Sequence, residues 1–172
     1  MEGSKSFEEY PGCIIFTSNL VSFLIYVIGA YIISQIGIIW LVAYLFYVLW
    51  LEVRLMRRSC VNCYYFGKFC AFGKGKISSL LFKKGNLGGF IKRRIIWKDI
   101  VPDFLVSAIP IIAGIVLLIS NFDWLILAAI ASLIILVSAG NAFVRGSLAC
   151  KYCRQKEIGC PAEQLFNKKK SQ

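Results

Sequence analysis

The sequence predicts an all-α integral membrane protein: four transmembrane helices as two tandem hairpin repeats, with cysteine-bearing cytoplasmic loops and short interfacial helices. Three observations predict it. Of 172 residues, 58% are hydrophobic and the mean hydropathy is +0.69, well above what a soluble domain carries. All 20 lysines and arginines lie in segments on one side of four apolar stretches. Six of the 7 cysteines form two copies of one pattern, Cys60, Cys63, Cys70 and Cys150, Cys153, Cys160, each C-x2-C-x6-C and offset by 90 residues.

The apolar stretches are residues 13–33, 37–53, 102–119 and 122–144, each close to the ~20 residues that cross a bilayer core. The first two are separated by Ser34, Gln35 and Ile36, and the last two by Ser120 and Asn121, so each pair is a tight helical hairpin. The leading segment is acidic on balance and no small-residue cleavage site follows, so the first stretch is read as a mature helix and not a signal peptide. The second is aromatic, with Tyr44, Phe46, Tyr47 and Trp50; Trp40, Trp50, Trp97 and Trp124 fall near the water boundaries as anchors.

In the third stretch, Asp103 after Pro102 reads as a helix-start cap, and Pro110 cannot bond back to the Val106 carbonyl, which predicts a kink. In the fourth, Ala128, Ser132, Ser138, Ala142 and Gly146 predict a close-packing inner face. Residues 77–82 and 90–98, joined through Gly85, Gly88 and Gly89, predict two short interfacial helices. The lysines and arginines lie in residues 54–98, in the tail from Arg145 and at Lys5, with none at the hairpin tips. Both termini and both cysteine triplets are therefore expected in the cytoplasm.

The net charge of +11 is assigned to topology and to anionic lipid headgroups, not to nucleic acid. The stretches hold almost no ionisable groups beyond Glu52, Asp103 and Asp123 at their ends, which disfavours a pump or channel.

Aligned at the 90-residue offset, the halves are 1–98 and 99–172, each a hairpin, a cysteine triplet and a short amphipathic segment; Leu81 and Phe82 correspond in kind to Leu165 and Phe166. An even number of spans per copy predicts a pseudo-two-fold axis along the membrane normal that brings the triplets together. The chain has no histidine, which removes histidine-held haem, mixed cysteine and histidine zinc sites and histidine base catalysis. In a reducing cytosol the six thiols read as metal ligands, with Gly67 and Gly159 easing the chain between them. Lys68, Lys74, Lys151, Arg154 and Lys156 are expected to offset thiolate charge and lower the thiol pKa values. Cys13, without a counterpart, is expected to be buried.

The twice-repeated spacing resembles the fungal six-cysteine binuclear zinc cluster, over those six positions only. The resemblance implies two zinc ions shared by the two triplets; two membrane helices intervene here, so a DNA-reading role is not implied. Cys160 followed by Pro161 resembles the last ligand of bacterial ferredoxin motifs, which keeps an iron–sulfur cluster as the alternative. The expected function is a non-enzymatic membrane protein whose six-cysteine metal site, zinc favoured, organises an assembly or interaction platform for a protein partner or a homo-oligomer. The alternative is an iron–sulfur or dithiol redox subunit passing electrons. An enzyme acting on lipid would need acids or bases beyond Glu52, Asp99 and Asp103.

Overall fold

The structure is a computed structural model and describes residues 6–92 and 96–161. The tail segment around Leu165 and Phe166, the arginines 93 and 94, and Lys5 lie outside the described residues. Helices dominate: α1 (Gly12–Ser34), α2 (Ile38–Arg58), α3 (Lys74–Leu81), α4 (Leu87–Lys92), α5 (Trp97–Ser120), α6 (Trp124–Ile135), α7 (Asn141–Phe143) and α8 (Arg154–Ile158). Two π-helical turns, Leu136–Gly140 and Val144–Ala149, continue α6 through α7 as one fourth rod. Among the described residues the only β feature is an isolated parallel bridge between Phe7 and Cys153.

Four of these rods are long and apolar enough to cross a membrane: Gly12–Ser34, Ile38–Asn62, Trp97–Ser120 and Trp124–Ala149. The first starts just after Pro11 and ends in a hairpin turn at Gly37, whose φ of 151° lies where glycine is favoured. Arg57 and Arg58 in the last turn of α2 complement its dipole. Asp123 caps α6, its Oδ1 accepting the Leu125 N–H at 2.8 Å. Ser138 and Asn141 donate to the Ile134 and Val137 carbonyls at 2.6 and 3.2 Å, a side-chain competition with the ladder where it widens into π turns.

The third rod corrects the sequence reading. It begins at Trp97, five residues early, and both Pro102 and Pro110 sit inside it. Each proline removes the hydrogen bond to the carbonyl four residues back, Lys98 and Val106. Donors on α2 replace both: Arg54 Nη2 reaches the Lys98 carbonyl at 2.8 Å and the Tyr44 hydroxyl reaches that of Val106 at 2.9 Å. The Tyr47 hydroxyl adds a bond to the Pro102 carbonyl at 2.8 Å. The helix therefore need not stop at Pro102, and Asp103 is not its cap; Asp99 occupies the first turn, while Asp103 faces Arg54 at 3.9 Å.

The helices α1 and α5 pack against each other, and α2 and α6 each pack against both of them. One core joins Ile25 and Ile32 of α1 to Ile126, Ile130 and Leu133 of α6; a second joins Ile33, Tyr44, Leu51 and Val106. Glycines permit the closest approaches: a β-carbon on Gly29 would strike Tyr44 and Pro110, and one on Gly114 would strike Ile130 and Ile32. The expected inner face of small residues on the fourth rod is overturned. Ala128, Ser132, Ser138, Ala142 and Gly146 are exposed, and the buried stripe is Ile126, Ile130, Leu133 and Val144. Larger side chains fill the gap to α1 and α5 with more contacts each, and the close approach is supplied by glycines on the central helices instead. Large apolar side chains such as Phe16, Ile39, Phe46, Ile112 and Ile119 remain on the outer faces.

The two short interfacial helices lie earlier than expected, as α3 and α4, and Trp97 belongs to the third rod. Ile77, Leu80 and Leu81 of α3 are exposed.

Candidate functional site

Both cysteine triplets lie at the end of the bundle opposite the hairpin tips, and their turns are built alike. After α2 the chain makes a 3-10 turn at Cys60–Asn62 in which the Cys63 N–H bonds the Cys60 carbonyl at 3.2 Å. After the fourth rod the Cys153 N–H bonds the Cys150 carbonyl at 3.4 Å. The next turn repeats too: Phe66 N–H to the Cys63 carbonyl, Lys156 N–H to the Cys153 carbonyl, both at 3.1 Å. Each chain path then uses a glycine at positive φ, Gly67 at 80° and Gly159 at 128°, as the sequence suggested.

The turns are clasped to each other by reciprocal bonds. The Tyr64 N–H donates to Gln155 Oε1 at 2.7 Å, and the Arg154 N–H donates to the Tyr65 hydroxyl at 3.0 Å. Residues 64 and 65 are the 90-residue counterparts of 154 and 155, so each copy gives a backbone donor to the side chain of the other. Tyr65 and Gln155 are both about fully buried, at 2% exposure.

A third strand of chain ties the two together. The Phe7 N–H bonds the Tyr152 carbonyl at 3.0 Å while the Phe7 carbonyl accepts from the Tyr65 hydroxyl at 2.7 Å. The Tyr10 N–H bonds the Phe69 carbonyl at 2.9 Å, and its hydroxyl donates to the Ala149 carbonyl. Tyr10, Tyr65, Ala71 and Ala149 form an apolar cluster against which Cys63, Cys70 and Cys153 pack. Asn19 Nδ2 adds a bond to the Phe72 carbonyl at 3.2 Å, holding the first triplet loop to α1. These anchors, Phe7, Tyr10, Tyr65 and Gln155, escaped the sequence reading because single aromatic or amide side chains in polar segments give no periodic signal.

Cys63 lies within electrostatic reach of Cys70, Cys153 and Cys160, and Cys153 of Cys150 and Cys160. Cys60 faces its own copy, beside Cys70, Cys63, Lys74 and Glu52. The Cys70 sulfur accepts the Gly75 N–H at 3.4 Å. Among the described residues, no group of three or more cysteine, aspartate or glutamate side chains is gathered in a geometry that could hold a metal ion. The donor set is thiol throughout and drawn to one end, but its sulfurs do not stand at ligand positions around one point.

Burial pushes the Cys63 thiol up to about 11 and raises Cys153 as well. The expected lowering by basic neighbours does not prevail. Several of those cations are engaged elsewhere: Lys74 with Glu52 at 2.6 Å, Arg154 with Glu8 at 2.7 Å, Lys68 at the Tyr64 hydroxyl at 3.4 Å and Lys151 over the Tyr152 ring. Glu52 also accepts from the Tyr26 hydroxyl at 2.7 Å. Cys13 is exposed, not buried as expected, since the first turn of α1 projects it away from the cluster.

Fold and site define a protein of four membrane-length helices with a clasped, thiol-rich end. No family model matches the chain, and neither a curated protein nor a solved structure is similar to it.

Proposed function

We propose that this chain is a non-enzymatic multi-pass membrane protein built from two tandem hairpin copies, with both termini and both triplets in the cytoplasm. In this reading Cys60, Cys63, Cys70, Cys150, Cys153 and Cys160 supply a metal site, zinc favoured, that organises a platform for assembly with a protein partner or a second copy. The observation that carries it is the reciprocal exchange between Tyr64 and Gln155 and between Arg154 and Tyr65, which is what an isologous interface between two copies makes. Helix adjacency supports it further: exchanging α1 with α5 and α2 with α6 leaves the pattern of packed pairs unchanged.

Zinc would draw these sulfurs in as thiolates and stabilise the clasp, because coordination removes the thiol proton outright. The dithiol alternative is weakened by the buried, proton-retaining state of Cys63 and Cys153, since the thiolate is the reactive form. The iron–sulfur alternative differs in colour.

Elemental analysis of full-length protein purified without oxygen is the deciding experiment. About two zinc ions per chain are expected from the binuclear arrangement, with Cys63→Ser and Cys153→Ser each releasing metal. Iron with acid-labile sulfide and visible absorbance would select the alternative. Metal-free protein with full stability and an unchanged oligomeric state would overturn both.

A further inference from the structure

A second site lies away from the cysteines, on the outer face of α2. Trp50, Val53, Arg54, Arg57 and Arg58 line an open hollow of about 570 Å³, and their spacing puts them on one side of a single helix. Towards the hairpin tip the same stripe continues as Phe46, Val42 and Ile39, at 68%, 44% and 80% exposure. One helix face thus offers a long apolar track that ends in guanidinium groups.

Among the described residues the charges in the hollow do not balance. Asp99 faces Arg58 at 3.2 Å and Arg54 at 3.6 Å, and Asp103 faces Arg54 at 3.9 Å. Arg54 is further fixed by the Lys98 carbonyl and by the Trp50 ring, 5.5 Å from its guanidinium carbon. Among the described residues two carboxylates meet three guanidinium groups, and Arg57 makes no ion pair. Arg57 is thus placed to take an anion from outside the chain.

We propose that this hollow is a binding site for one anionic phospholipid, its phosphate held by Arg57 and Arg58 beneath Trp50 and its acyl chain laid along Val53, Phe46, Val42 and Ile39. A planar fork pairs with a phosphate through two parallel bonds, and a tryptophan at the headgroup level suits the same boundary. The site rests on the membrane-spanning part of the proposed function and not on the metal, so a metal-free protein would leave it standing.

Native mass spectrometry of the full-length protein, exchanged into phosphatidylglycerol or phosphatidylcholine, tests it. The wild type should retain phosphatidylglycerol preferentially. Arg57→Gln should cut that preference about fivefold, the weight of one basic side chain at an anionic surface, without lowering thermal stability. Lys76→Gln, an equal loss of charge on the exposed side of α3, should leave the preference intact. Inorganic phosphate should not displace the lipid, because the apolar track contributes to binding. Equal retention of both lipids by the wild type, an equal effect of the two variants, or displacement by free phosphate would each overturn the site.

Discussion

Cys63 sums up the chemistry available to single residues here. It packs on the Tyr10 and Tyr65 cluster among other thiols, and burial holds its pKa near 11 against an ordinary 9.0. A raised value in the folded state means that folded and unfolded chains bind the proton equally below pH 9. Stability from this group is thus fully present there and is lost as pH rises through 9 to 11, where the unfolded chain ionises first. Chemical unfolding of the metal-free protein should show a flat profile to pH 9 and a fall above it that Cys63→Ser makes shallower; an unchanged fall would place the titration elsewhere. The cysteines themselves were legible from sequence, because a duplicated spacing is a local property. The state of their thiols was not, since it depends on Tyr10, Phe7 and Ala149, remote in the chain and drawn in only by folding.

At the scale of elements, the seam between α2 and α5 is the informative case. Pro102 and Pro110 each leave a carbonyl on α5 without its helical donor, and Arg54 and Tyr44 supply the missing donors from α2. Where water is excluded such carbonyls need partners. Replacing Tyr44 by Phe should cost about 1 kcal/mol, the usual weight of a side-chain bond within a membrane bundle. In a Pro110→Ala background the cost should shrink, because alanine there restores the backbone N–H that proline lacks. A thermal-unfolding double-mutant cycle measures the coupling, and strictly additive effects would contradict it. Helix existence and the two tight hairpins could be read from hydropathy. The start of α5 at Trp97, and the outward turn of Ala128, Ser132 and Ala142, could not, because both are settled by what a neighbouring helix presents.

For the whole molecule, the proposed sidedness makes the cysteine end and the hairpin tips report from opposite compartments. A membrane-impermeant maleimide should label Gln35→Cys and Asn121→Cys, built in a Cys13→Ser, Cys150→Ser background, on intact cells. Lys76→Cys in the same background, on the exposed side of α3 and outside the proposed ligand set, should react only in inside-out vesicles. Labelling of Lys76→Cys on intact cells would reverse the topology and the reducing-compartment argument with it. The clasp makes a whole-molecule prediction too: Gln155→Leu leaves the part-buried Tyr64 N–H without its partner, at a cost of about 1 kcal/mol for the lost hydrogen bond. Hydrogen exchange should then speed up in both triplet loops together, not in the second alone.

The amino-acid sequence by itself determined four membrane-length helices, two tight turns without lysine or arginine and a twice-written cysteine spacing, because composition, periodicity and spacing act along the chain. Only the tertiary structure decided that the two cysteine turns hold each other through Tyr65 and Gln155, that residues 7–10 bind them both, and which face of the fourth rod is buried. Those outcomes depend on which surfaces meet across the bundle, and a hydrogen bond between residues some 90 positions apart leaves no periodic trace in either segment.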